Sequence, residues 1–140
     1  MVDFLSRKHR SWNMSRIKSR DTKPEMLVRS LLHRKGYRFR LHKKDLPGKP
    51  DIVLPRFRKI IFVHGCFWHR HPNCKFAYTP KSHTEFWEKK FTDNIKRDQQ
   101  AVNSLRKMGW SVHIIWECET KRIDYLSQRL DEIMEIDRPK

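Results

Sequence analysis

No apolar run in this sequence approaches the roughly 18 residues needed to cross a bilayer as a helix. Its apolar stretches, such as Ile60-Ile61-Phe62-Val63 and Ile114-Ile115-Trp116, are only strand-sized. The start, Met1-Val2-Asp3-Phe4-Leu5-Ser6-Arg7-Lys8, lacks the apolar region of a secretory signal. Three cysteines cannot all pair within one chain, which argues against a secreted disulfide scaffold. Repeats and low-complexity tracts are missing too. These absences point to a cytosolic protein with no membrane partner. Acids are scarce: 16 Asp+Glu face 32 Lys+Arg, a formal charge of +16. The imbalance is concentrated, with fifteen Lys/Arg and only four acids in residues 1–50. A field this lopsided raises self-repulsion without helping the fold, so a nucleic acid is favoured over a merely solvated basic surface.

The 140 residues suit one domain with a real core. Residues 1–21 are basic and polar, with Trp12, Met14 and Ile17 as isolated apolar points. They read as an arm that orders on its partner. Thr22-Lys23-Pro24-Glu25 opens a helix with a cap, a first-turn proline and an acid at the positive dipole end. Leu27, Val28, Leu31 and Leu32 give its apolar face, and Gly36 ends it. Tyr37 to Leu41 alternates apolar and basic residues as a strand. Asp51–Leu54 and Lys59–His64 suggest a hairpin about a turn at 55–58. A short helix over 84–91, a longer one over 94–108 stopped by Gly109, and a strand over 110–117 follow. Thr120 caps a last helix with Ile123, Leu126, Leu130 and Ile133 inward. That order predicts an α/β sandwich around a mixed β-sheet flanked by helices, filling residues 22–140.

The densest chemistry lies in His64-Gly65-Cys66-Phe67-Trp68-His69-Arg70-His71-Pro72-Asn73-Cys74. Cys66, His71 and Cys74 supply three soft or borderline ligands on one loop. Cys118, at the end of a predicted strand, can fold back as the fourth. A Cys3His set is the natural tetrahedral zinc site, and being full it is structural rather than catalytic. It also accounts for all three cysteines, whereas plain buried thiols leave their spacing unexplained.

Antiparallel pairing of the hairpin brings Asp51 close to residues 62–64. One carboxylate beside a backbone carbonyl at a strand end is a Mg2+ site that keeps several waters. By itself, an aspartate after proline is more often a turn or cap residue. The weight comes from Glu25 on the first helix, His64 and His69 at the same corner, and Asp98 on the long helix. A histidine near a scissile phosphate can act as general acid or base, and a carboxylate can orient it. His9, His33, His42, His83 and His113 have no such neighbours in the sequence and read as ordinary histidines. Phe67 and Trp68, held between zinc ligands, and Trp87 on a short basic helix are candidate wedges for parting and stacking on bases. Phe86 and Phe91 read as core packing.

These elements in this order resemble the very-short-patch mismatch repair endonucleases over nearly the whole chain. The resemblance runs through Asn13-Met14-Ser15-x-Ile17, Asp21-Thr22-Lys23-Pro24-Glu25 and Leu46-Pro47-Gly48-Lys49-Pro50-Asp51-Ile52-Val53-Leu54. It continues through His64–His71 to Trp116-Glu117-Cys118. It implies a restriction-endonuclease-like core that nicks one strand of double-stranded DNA, 5′ of a thymine mispaired with guanine. Such T:G mismatches arise when 5-methylcytosine deaminates. It further implies that Asp51 and the backbone carbonyl of Val63 hold Mg2+. His64 and His69 then serve water and phosphate, with Glu25 and Asp98 in support. Zn2+ sits on Cys66, His71, Cys74 and Cys118. Phe67, Trp68 and Trp87 wedge beside the mismatch from the major groove. The arm, with Met14, Trp12, Arg16, Lys18 and Arg20, clasps the other side.

One departure matters. The wider nuclease fold commonly carries an acid and a lysine at the end of the second hairpin strand, where this chain has Phe62-Val63-His64. Catalytic Mg2+ should therefore bind weakly until DNA phosphates arrive. A lone mismatch lacks two-fold symmetry, so a monomer is expected. General mismatch-repair proteins and a repair DNA polymerase are candidate partners. Two other readings stand beside this one: a zinc-stapled DNA-binding module without catalysis, and a restriction-type enzyme cutting both strands. A binding module has no need of acids in a field that attracts phosphates.

Overall fold

The computed structural model describes residues 22–135. The first helix, α1, spans Lys23–Arg34. Thr22 caps it by accepting the Glu25 N–H at 3.3 Å, and Pro24 stands in its first turn. Gly36, at φ +89°, closes it, and the Tyr37 N–H returns to the Leu32 carbonyl at 3.0 Å. Three strands follow: β1 (Arg40–Leu41), β2 (Ile52–Leu54) and β3 (Lys59–His64). Then come α2 (Thr84–Lys107), β4 (Ser111–Trp116) and α3 (Ile123–Glu135).

The sheet order is β1-β2-β3-β4, antiparallel except for the parallel β3–β4 pair. The alternation of side chains divides its two faces. Ile52, Leu54, Ile61 and Ile115 pack under α1 (Val28, Leu32) and α3 (Leu126, Leu130, Ile133, Met134). Val53, Ile60, Phe62 and Val112 pack with Leu105 of α2. The fold is thus mixed α/β, with helices on both faces and a parallel pair buried between them.

Four expectations are corrected. The two helices expected at 84–91 and 94–108 are one continuous α2, because neither Gly nor Pro interrupts residues 84–107. Thr120 does not cap α3. It lies in a 3-10 turn, Glu117–Lys121, and its hydroxyl donates to the Glu117 carbonyl at 2.7 Å. Ile123 is 56% exposed rather than inward, and Met134 fills that side of α3 instead. The strand expected from Tyr37 is also only two residues long, since just Arg40 and Leu41 find partners on β2.

The loop before β2 must approach α2 closely. Gly48 has φ +75°, and a Cβ there would stand 2.6 Å from the Ala101 Cβ. Gly48→Ala is therefore expected to lower stability by about 2–3 kcal/mol, combining left-handed strain with overpacking. Chemical denaturation reads this directly, and parental stability would mean the loop gives way freely.

Candidate active site and metal-ligating cluster

The parallel register pairs His64 with Trp116 at the ends of β3 and β4. Two residues further along each chain stand Cys66 and Cys118, whose backbone N–H donates to Cys66 Sγ at 3.4 Å. The intervening loop folds back, with His71 N–H on the Cys66 carbonyl at 3.1 Å. His71 Nδ1 then lies 3.7 Å from Cys66 Sγ and 3.4 Å from Cys118 Sγ. Cys74 completes a group whose four donor atoms all lie within 4.8 Å of one another. With Zn–S near 2.3 Å and Zn–N near 2.0 Å, the S···N edge of a zinc tetrahedron is about 3.5 Å. The donor set can hold such a metal. Burial pushes the Cys66 thiol up to about 12, so a cation would have to displace its proton. His71 also stacks on Trp116, with ring centroids 4.3 Å apart.

On the other side of the β3 terminus lies the acid corner. The β1–β2 register places Leu41 opposite Ile52, and the ladder runs one step further, with His42 N–H donating to the Asp51 carbonyl at 3.1 Å. Asp51 Oδ2 accepts the Val63 N–H at 2.8 Å. The N–H and carbonyl of one residue in an antiparallel pair face the same neighbour, so the Val63 carbonyl shares that edge. Glu25, only 1% exposed, reaches the same corner from α1. Its Oε2 accepts from His42 Nε2 at 2.9 Å and from Arg29 Nη1 at 3.3 Å. Burial, countered in part by the Val63 hydrogen bond and reinforced by neighbouring Glu25, raises Asp51 to about 7. Two acids confined in a buried corner form a donor set that suits a hard cation.

The histidines form a pair. His64 and His69 stack with centroids 3.9 Å apart and planes 8° from parallel. Burial, with the charge of His69 beside it, lowers His64 to about 4 and keeps it neutral. His69 Nδ1 lies 2.6 Å from Asp98 Oδ2 on α2, so the carboxylate accepts from that nitrogen and leaves Nε2 for other partners. His69 also acts electrostatically on Asp51, lowering its proton affinity. Asp51, Val63, His64, His69, Asp98 and Glu25 therefore meet around one end of β3.

Beside this corner the loop carries an aromatic cluster. Phe67 packs edge-on to Trp68, Trp87 and Phe91 at 5.2, 5.6 and 5.3 Å. Trp68 and Trp87 are 5.6 Å apart, and Asn94 Nδ2 donates to the Trp68 carbonyl at 3.2 Å. Phe91 is buried as expected, but Phe86 is 55% exposed, at the surface of α2 beside Trp87 rather than in the core. His42 is the residue that sequence reasoning passed over. The sequence gives it no chemical neighbour, yet it contacts Glu25 and pairs with Asp51. The β1–β2 register was the only signal that could have found it, and a two-residue strand conceals that. Met14, Trp12, Arg16, Lys18 and Arg20 lie outside the described residues.

Comparison with known proteins gives this geometry a context. A family described as DNA mismatch endonuclease Vsr matches residues 2–75. A type II nicking enzyme, V.XorIIP, of Xanthomonas oryzae pv. oryzae is 47% identical over 96% of this chain and 98% of its own length. Another, V.NmeAIP of Neisseria meningitidis, is 42% identical over 96% and 95%. The DNA mismatch endonuclease Vsr of Escherichia coli is 41% identical over 94% and 87%. The chain belongs to the Vsr family of DNA mismatch endonucleases and is an endodeoxyribonuclease.

Proposed function

We propose that the enzyme recognises a T:G mismatch left by deamination of 5-methylcytosine and nicks one strand, 5′ of the thymine, in a Mg2+-dependent reaction. The observation that carries this reading is the convergence of Asp51, the Val63 backbone and the stacked His64–His69 pair at one strand end. The nicking activity named for its relatives from Xanthomonas and Neisseria favours single-strand cleavage over a double-strand cut. The set of acids favours catalysis over a passive binding module. Asp51 and the Val63 carbonyl would hold the cation, Cys66, His71, Cys74 and Cys118 a structural Zn2+. The sandwich is read as a restriction-endonuclease-like core occupying residues 22–140, with residues 1–21 as a DNA-clasping arm.

When bound, Mg2+ would neutralise charge on the scissile phosphate and make an attacking water more acidic. The remaining work falls to the chain. Neutral His64 can accept a proton or hydrogen-bond the phosphate. Asp98 fixes His69 so that Nε2 faces the reacting atoms. Glu25 shares the Asp51 corner and orients water there. A monomer acting in the bacterial cytosol, alongside general mismatch-repair proteins and a repair polymerase, fits this reading. Among the described residues no helix is long and apolar enough to cross a membrane.

The test is a strand-nicking assay on T:G, T:A and C:G duplexes of one sequence, with and without Mg2+. Cleavage of the T strand in the T:G duplex alone, and only with metal, is expected. Binding without cleavage, or equal cutting of both strands, would defeat the proposal. In the same assay Trp68→Ala is expected to lower the preference for T:G over T:A by roughly tenfold, the scale of one lost base stack. Unchanged discrimination would mean that Trp68 only packs against Trp87.

A further inference from the structure

We propose that His42 is a positioning residue for the reaction, holding the Glu25 carboxyl in register with Asp51; the inference rests on the role given to Glu25 above. Three features single it out. Its ring is largely buried, at 16% side-chain exposure, and Nε2 donates to Glu25 Oε2 at 2.9 Å. Its backbone N–H donates to the Asp51 carbonyl, so the residue ties the two acids through one short link. Donor atoms of Glu25, His42 and Asp51 all lie within 4.8 Å of one another.

Glu25 cannot rely on α1 alone for its orientation. Its other donor, Arg29, is one helical turn away on the same helix, at 3.3 Å. Both donors meet Oε2, so Oε1 carries neither of them. His42 supplies the contact from a different element, the ladder that also sets Asp51. A catalytic carboxyl held by two elements keeps its place when α1 shifts, and small displacements of such groups cost large factors in rate. The backbone at His42 is left-handed, at φ +47°. Side chains other than glycine occupy that region at a cost, and such outliers gather at functional corners.

That strain offers a way to separate folding from chemistry. His42→Gly removes the ring but suits the backbone, so thermal unfolding is expected to match or exceed the parent. The same variant should lose nicking rate by about 30-fold or more, with DNA affinity kept within about twofold. His42→Gln, which can place an amide N–H near the Nε2 position, should recover most of the rate. In a Glu25→Gln background the His42→Gly change should cost no further rate, because coupled positions are not additive. In Mg2+-free protein, the NMR resonances of the His42 ring should move on Glu25→Gln. Additive losses, or a failure of His42→Gln to recover rate, would overturn the proposal. Full nicking by Glu25→Gln alone would remove Glu25 from the reaction, and His42 with it, while leaving Asp51 untouched.

Discussion

Asp51→Asn is expected to reduce nicking by about 10³-fold or more while leaving DNA affinity equal to the parent or slightly tighter. The amide keeps the shape of the side chain, and its oxygen can still accept the Val63 N–H now bound at 2.8 Å. What it loses is the negative charge. A hard cation takes oxygen ligands and prefers carboxylates, and this chain offers no second acid on β3, where Phe62-Val63-His64 stands. Once that charge is lost, a cation would keep only Glu25, the Val63 carbonyl, phosphates and water as partners. Binding should survive because the DNA is drawn by the basic surface, and one acid fewer weakens repulsion of phosphate.

The same substitution has a stability signature in metal-free buffer. Asp51 rises from 3.8 to about 7 on folding, chiefly through burial. A raised acid favours the folded state least where it must ionise, so the penalty is absent below pH 3.8 and complete above pH 7. Asp51→Asn removes it. The variant should be more stable than the parent at pH 8, by up to about 4 kcal/mol, with the gap closing toward pH 4. Denaturant melts at the two pH values check this. A parent that is the more stable at pH 8, or retained cleavage by the variant, would take Asp51 out of the argument.

The sequence disclosed the chemistry better than the geometry. Cys66, His71, Cys74 and Cys118 were legible because ligand spacing on a short loop is local, and one strand register brings Cys118 over. Asp51 and residues 62–64 were legible because a hairpin with a short turn fixes its own register. Helix α1 announced itself through Thr22, Pro24 and Gly36. Elsewhere the local signal was weak. A second helix was expected to start at Asn94, yet polar residues cost little in an exposed helix interior, and one long helix is anchored by Leu105 on the sheet and Phe91 against Phe67. Thr120 resembled a cap but its hydroxyl is spent on a 3-10 turn. His42 was hidden most deeply: its partners are 17 and 9 positions away, and no periodicity connects them.

Cys118→Ala is expected to cost the protein the zinc proposed for its Cys/His cluster, a large part of its thermal stability and its nicking activity together. Between β3 and α2, residues 65–83 form no regular helix or strand. Such a loop cannot bury enough apolar surface to hold one shape unaided, and a structural zinc can supply about 10–16 kcal/mol of apparent binding free energy. Of the four clustered side chains, Cys118 alone comes from outside that loop. Removing it leaves Cys66, His71 and Cys74, all on the loop itself, so any ion still held no longer fastens the loop to β4. Everything the loop carries then moves: Phe67 and Trp68 against Trp87, and His69 against both His64 and Asp98. Metal analysis should find one zinc per parent chain and much less in the variant. Its melting temperature should fall by about 10 °C or more, since each kcal/mol is worth a few degrees in a domain of this size. Chelation of the parent should reproduce both losses. A metal-free Cys118→Ala protein with parental melting and cleavage would show that the four side chains are only neighbours.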